Sequence, residues 1–186
     1  MRLRAAERAD TEMVMGWFNN PRTRSKMPIS PIPTSIAAQR ELLEHNGGRD
    51  YVLFVVEHPK LGPIGLAGLH QIDPHQRRAR TVTVIGNDTA LGKGYGTASR
   101  ELVLEFGFGE LNLQKIIGGA LACNLPAISL LQGRGAVLEG LRQREYFRNN
   151  AWHDFVEFSR FNEVDPAPRR DLVTSATLTC RCQPGP

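Results

Sequence analysis

Leu91-Gly92-Lys93-Gly94-Tyr95-Gly96-Thr97 sets glycines at alternate positions between a β-prone run and a helical one. Glycine has no Cβ and reaches positive φ freely, so successive backbone amides can converge on one anion. A helix that starts at the end of the loop adds unpaired N–H groups and its dipole. Lys93 adds a positive charge. The chemistry of such a loop is a phosphate or pyrophosphate cradle. A Walker loop needs Gly, four residues, then Gly-Lys-Ser/Thr, and that order is absent; in a Gly-x-Gly-x-x-Gly fingerprint the third glycine would stand one residue later. A plain glycine-rich turn is the remaining alternative.

Other residues have proton-transfer or binding chemistry. His70, next to Gln71, titrates near neutrality. Glu145 and Tyr146 lie together in Arg144-Glu145-Tyr146. Arg22, Arg24 and Lys26 flank a proline-rich loop and suit an anion or a solvated surface. Cys123, Cys180 and Cys182 are too few and too unevenly placed for a disulfide framework or for the four ligands of a structural zinc site, so no metal is expected.

The elements that position these residues follow from periodicity. Arg2 to Ala6 reads as a first strand. Asp10 or Thr11 caps a helix through Val14 and Phe18, which Asn19-Asn20-Pro21 stops. Met27 to Pro33 reads as an irregular loop, and Thr34 or Ser35 caps a second helix that closes at Asn46-Gly47-Gly48. Tyr51 to Glu57, Ile64 to Ile72 and Ala79 to Ile85 form an antiparallel meander. Gly94 to Gly107 is a helix, Lys115 to Leu121 a buried strand, and Asn124 caps a helix with Pro126 in its first turn. Val137 to Phe147 and Trp152 to Phe161 are the last strands. The order β-α-α-β-β-β-α-β-α-β-β describes an α/β protein with one mixed sheet and helices on its faces. One domain spans 1–161. From 162 to 186 the sequence turns to Pro, Thr, Ser and Arg without periodicity, which reads as a disordered or appended tail.

The 186 residues suffice for one core, with 41% hydrophobic and 23% charged residues. No apolar run reaches the roughly 18 residues that span a bilayer, and no signal-peptide core follows the N-terminus, so no membrane partner is expected and the chain reads as cytoplasmic. The net charge of +4 forms no dense basic patch with interleaved aromatics, which disfavours nucleic acid.

The segment from Ile85-Gly86-Asn87-Asp88 to the glycine loop resembles the acetyl-CoA pyrophosphate loop of the GNAT superfamily, Arg/Gln-x-x-Gly-x-Gly/Ala, with Leu91 where Arg or Gln is usual. Asn124-Leu125-Pro126-Ala127 is similar to that family's Asn-x-x-Ala/Ser motif. Leu138-Glu139-Gly140-Leu141-Arg142 and His153-Asp154 look most like the branch that acetylates N-termini of ribosomal proteins. The resemblance covers about residues 1 to 160. It implies a largely antiparallel sheet of about seven strands, flanked by four helices and splayed between strands four and five. It also implies acetyl-CoA as cofactor, an amine-bearing acceptor and a fold compatible with a homodimer.

For this sequence the resemblance assigns cofactor contacts to Leu91 through Thr97, to Asn124 and Ala127, and to a backbone amide near Val84 or Ile85 that would face the thioester carbonyl as an oxyanion donor. A base must deprotonate the ammonium, whose pKa is near 10. Arg80 stands where many relatives carry a catalytic Glu, and Leu131 where many carry an acidic Tyr. The ribosomal-protein branch places a Glu on the sixth strand, and Glu145 falls there; an ion pair with a neighbouring arginine is its competing role. Tyr146 and His70 are reserve candidates. The expected acceptor is a protein N-terminal α-amine or a small amine such as an amino sugar, polyamine or antibiotic. The missing side chains also suit a silent acyl-CoA-binding module.

Overall fold

The computed structural model describes residues 1–29, 32–133, 135–148 and 150–162. Seven strands and five α-helices follow in the order β1 (Arg2–Ala5), α1 (Thr11–Asn19), α2 (Pro21–Lys26), α3 (Ile36–Glu44), β2 (Tyr51–His58), β3 (Gly62–Asp73) and β4 (Arg78–Ile85), then α4 (Tyr95–Gly109), β5 (Lys115–Leu121), α5 (Leu125–Leu131), β6 (Val137–Arg148) and β7 (Ala151–Phe161).

The strands form one sheet in the order β1-β2-β3-β4-β5-β7-β6. Every neighbouring pair is antiparallel except β4 and β5. A parallel pair needs a crossover, and α4 supplies it. Strand residues alternate between the two faces. Val55 and Leu66 pack with Val14 of α1 and Leu43 of α3, while Val56, Ala67 and Leu69 pack with Val103 and Leu104 of α4. Each fully buried branched aliphatic side chain here contributes about 1.5–3 kcal/mol. A third cluster joins Ile128 and Leu131 of α5 to Ala120, Val156 and Phe158.

The expected splay is present. The β4–β5 register runs only from Arg78↔Lys115 to Arg80↔Ile117, whereas β4 stays paired with β3 to Ile85 and β5 stays paired with β7 to Leu121. From residue 81 the two strands diverge, and the sheet opens between them.

Two local expectations need correction. Pro21 ends α1 but also begins a further helix, so five α-helices flank the sheet instead of four. Asn20 accepts from the Arg22 amide at 2.9 Å, and Pro21 sits in the first turn, where its missing N–H costs nothing. The Asp10 carboxylate does not cap α1. Arg4 holds it through Nη1 at 2.8 Å and Nη2 at 2.9 Å, and the Glu7 amide donates to it at 2.8 Å. Arg4 keeps the Asp10 carboxyl below its usual range. β7 ends at Phe161, and the Asn162 amide donates to the Gln114 carbonyl at 3.0 Å. The expected tail from 163 on, with Cys180 and Cys182, lies outside the described residues.

Candidate functional site

The glycine loop turns as its composition requires. Gly92 has φ 70° and Gly94 φ 79°, both in the left-handed region that side chains with a Cβ avoid. Gly94 precedes the first turn of α4, so the unpaired amides of that helix open onto the loop. Tyr95, the first residue of α4, is held from the β2–β3 hairpin. His58 Nδ1 accepts from the amides of Lys60 and Leu61 at 3.2 Å, which leaves the proton on Nε2 to donate to Tyr95 Oη at 3.1 Å.

Two cavities meet at the opening in the sheet. The smaller, about 400 Å³, has the loop on one side, from Leu91 and Gly92 through Gly94, Tyr95, Gly96 and Thr97, and the start of α5 on the other. Val84, Ile85, Asn124 and Ala127 complete the set of expected cofactor residues around it. Lys93 is the exception: it is exposed and stands outside the wall. A cation reaches this cavity from α2 instead. Arg22 lines it, with its guanidinium 2.5 Å from Asp88. Arg22 thus brings positive charge to a loop whose Leu91 provides none.

Backbone direction in β4 separates the two expected donors. The Gly86 amide donates to the Ile64 carbonyl at 3.0 Å, and the Arg77 carbonyl accepts from Lys115 at 3.2 Å. With a strand period of two, even-numbered β4 residues turn their amides toward β3 and odd-numbered ones toward β5. The Val84 amide therefore belongs to the β3 ladder. The amides of Ile85 and of Thr83, which the sequence did not single out, face the opening. Thr81 and Thr83 also have buried hydroxyl oxygens without a hydrogen-bond partner. Idle buried polar groups are rare in folded proteins and suit a polar ligand. Left-handed glycines, free amides and idle hydroxyls fit a phosphate-bearing, amide-rich arm such as that of acetyl-CoA.

The larger cavity, about 630 Å³, crosses the opening and extends beneath α1 and the segment Lys26–Ile29. His70 and Tyr146 both line it. Burial, with the Arg80 charge opposite on β4, pushes His70 below its usual pKa, so its imidazole is neutral at pH 7. Glu145 does not line the cavity. A bulge between Arg142 and Tyr146 sets residues 143–145 against Asp154, and Glu145 pairs with Arg142 at 3.0 Å. The sequence reading assumed an uninterrupted strand and could not see this bulge.

Arg148 stands outside the cavity and holds part of its wall, Met27 and Ile29, in place. Its guanidinium donates to the carbonyls of Arg24 (2.8 Å), Met27 and Ile29, strapping that segment onto β6. Arg100, like Thr83, was not among the candidates read from the sequence. It lies in α4 with a side chain of 0% relative exposure, lines the larger cavity, and leaves Nε and Nη2 unpartnered. Its signal was a charged residue on the buried stripe of α4, beside Ser99 and Val103. Among the described residues no group of three His, Cys, Asp or Glu is placed to hold a metal, and no helix is long and apolar enough to cross a membrane.

Comparison with known proteins agrees with this geometry. The family profile of the acetyltransferase (GNAT) domain matches residues 1–137. The chain is 29% identical over 152 residues to spermidine N(1)-acetyltransferase of Vibrio cholerae, covering 82% of this chain and 87% of that one. It is 25% identical over 146 residues to the N-acetyltransferase p20 of Bacillus licheniformis, covering 75% and 80%. The crystal structure of spermidine N-acetyltransferase from Vibrio cholerae with CoA and spermine superposes with a TM-score of 0.79 at 29% identity, covering 86% of this chain and 94% of that one.

Proposed function

The chain belongs to the GNAT acetyltransferase family, and on that premise we propose that it acetylates the primary amine of a small molecule held in the larger cavity. Family membership makes it an acetyl-CoA-dependent N-acetyltransferase; the acceptor and the residue roles are the proposal. The observation that carries it is the junction of the two cavities, where Thr83, Lys26, Met27, Asn124, Ala127 and Leu130 line both. A donor in one and an acceptor in the other meet at the opening between β4 and β5.

Acetyl-CoA supplies an acetyl group already activated as a thioester. The chain's own residues do the rest. The loop amides and Arg22 hold phosphate. The Thr83 and Ile85 amides offer hydrogen bonds to carbonyl oxygens in the opening. His70, neutral at pH 7, accepts the proton of the acceptor ammonium on an imidazole nitrogen. Tyr146, at van der Waals range of Phe155 with ring centroids 5.5 Å apart, forms the far wall and offers a phenolic proton.

Two other acceptors remain in view. Likeness to a spermidine enzyme favours a polyamine, and Leu138-Glu139-Gly140-Leu141-Arg142 favours a protein N-terminus. Arg148 fixes the segment with Met27 and Ile29 as a wall of the cavity, which supports a small molecule held inside over a polypeptide end. Thiol release from acetyl-CoA, measured over small amines, polyamines and peptides, tests this. Turnover of a small amine without peptide turnover is expected, and turnover of peptides alone would overturn it.

A further inference from the structure

The wall of the larger cavity contains Lys26, Arg80, Arg100 and Arg142 and, among the described residues, no carboxylate. The sequence around the lining residues Lys26 to Ile29 points the same way: from 21 to 35 it includes Arg22, Arg24 and Lys26 and neither Asp nor Glu. The carboxylates that touch these cations do so from outside the wall. Glu157 reaches both Arg80 and Arg142, the latter at 3.0 Å, and Glu145 pairs with Arg142 at 3.0 Å. Glu101, at 3.5 Å from Arg100, is shared with Arg160 at 3.3 Å. A guanidinium has five N–H donors in a planar fork, so such pairs fix its orientation and leave donors for a ligand.

Arg100 adds an independent observation. It is fully buried and two of its nitrogens have no hydrogen-bond partner. A charge buried with idle donors is costly unless a group of opposite charge completes it. Cationic walls in a low-dielectric cleft also focus a positive potential on whatever enters. Glu145 and Glu157 balance Arg80 and Arg142, and Glu101 serves both Arg100 and Arg160, so with Lys26 the cleft keeps an excess of positive charge that disfavours a polyamine and favours an anion. The rest of the wall mixes polar groups such as Gln71 and Thr81 with an apolar and aromatic part made by Phe18, Met27, Leu53, Leu66 and Phe155.

We infer that the acceptor is an anionic amine: a small molecule with a primary amine, a carboxylate or phosphate, and a partly apolar body. This rests on the acetyltransferase reading above. Arg80 and Arg142, oriented by their shared Glu157, hold the anion, and His70, opposite Arg80 in the β3–β4 register, faces the amine.

The test is calorimetric titration of the CoA-loaded protein with matched pairs: L-phenylalanine against L-phenylalaninamide, glucosamine 6-phosphate against glucosamine, and spermidine. At least one acid is expected to bind tenfold or more tightly than its partner and than spermidine; which pair responds separates carboxylate from phosphate. Arg80→Gln and Arg142→Gln, tested separately, are expected to reduce that preference to threefold or less while CoA affinity stays unchanged. Equal or tighter binding of spermidine or of the uncharged partners, no binding of either acid, or a preference that survives both substitutions would overturn the inference. Absence of CoA binding would instead sink the acetyltransferase reading itself.

Discussion

The side-chain amide of Asn124 donates to the backbone carbonyl of Lys26 at 2.8 Å, joining the residue before α5 to the last residue of α2. Its oxygen accepts from the Ala127 amide at 3.4 Å, so one carboxamide both caps a helix and ties together two walls, at Lys26 and at the start of α5, that the larger and the smaller cavity share. These two roles are separable. Asn124→Asp keeps the acceptor that caps α5 but has no N–H for Lys26, and sets a negative charge against a carbonyl. Asn124→Ala loses both, with a capping cost of about 1 kcal/mol. The expected outcome is a lower Tm for the Ala variant only, and a raised KM for acetyl-CoA and acceptor in both. A Tm loss of the same size in both variants would argue that the contact with Lys26 is the structural one.

The glycine loop makes a sharper distinction. A Cβ at Gly94 would meet nothing within 4 Å, so space does not demand glycine there; φ 79° does. Asn enters the left-handed region at low cost and Val does not. Gly94→Asn is expected to bind CoA within a few-fold of the parent by calorimetry, and Gly94→Val at least tenfold more weakly. Equal loss in both would mean that something other than backbone conformation fixes this position.

His70 offers a pH signature. Burial and Arg80 lower its pKa in the folded protein below the usual 6.5. Between 6.5 and that lower value the unfolded chain binds a proton that the folded one refuses. Stability is therefore full above pH 6.5 and falls as the pH drops through this window. As the proposed base His70 also loses function on protonation, so kcat/KM should fall on the acid side of the same window. His70→Gln is expected to remove that acid limb and lower kcat by about 10²- to 10⁴-fold, with a Tm less sensitive to acid than the parent's. An unchanged pH–rate profile would exclude His70 as the base.

Most of the framework was legible because it rests on local signals. Alternation marked the strands, glycines marked the phosphate loop, and Ser35 and Asn124 cap helices through their own side chains as expected. What was not legible depends on which of several available partners a polar group takes once the strands are paired. Asp10 looks like a cap until Arg4 claims it across β1. Pro21 reads both ways, as the stop of one helix and as the first turn of another, and only the Asn20 cap on the Arg22 amide decides for a new helix. The bulge before Tyr146 arises where the Arg144 amide finds Asp154 at 2.8 Å, ten residues away, and it decides which of two adjacent candidates enters the cavity. The donor amide needed even more remote information, since the direction of Ile85 or Val84 is set by hydrogen bonds to β3 and β5.

Arg100 joins stability to binding and yields the most exacting prediction. Burial pulls its pKa from the usual arginine range down to about 10, with Glu101 offsetting part of the effect and Arg160 adding to it. Below pH 10 the side chain is charged in both folded and unfolded states, and the folded protein bears a cost of roughly 3 kcal/mol. As pH rises above 10 the folded state releases the proton before the unfolded one does, so this cost shrinks and stability relative to a neutral residue recovers. Arg100→Met replaces the guanidinium with an apolar chain of similar reach. It is expected to raise Tm by several degrees at pH 7, with the difference constant up to about pH 9 and narrowing above pH 10. The same substitution removes a wall cation, so binding of an anionic acceptor should weaken while that of CoA persists. A Met variant less stable than the parent at pH 7 would mean that the guanidinium serves folding alone, through Glu101, and does not wait for a ligand.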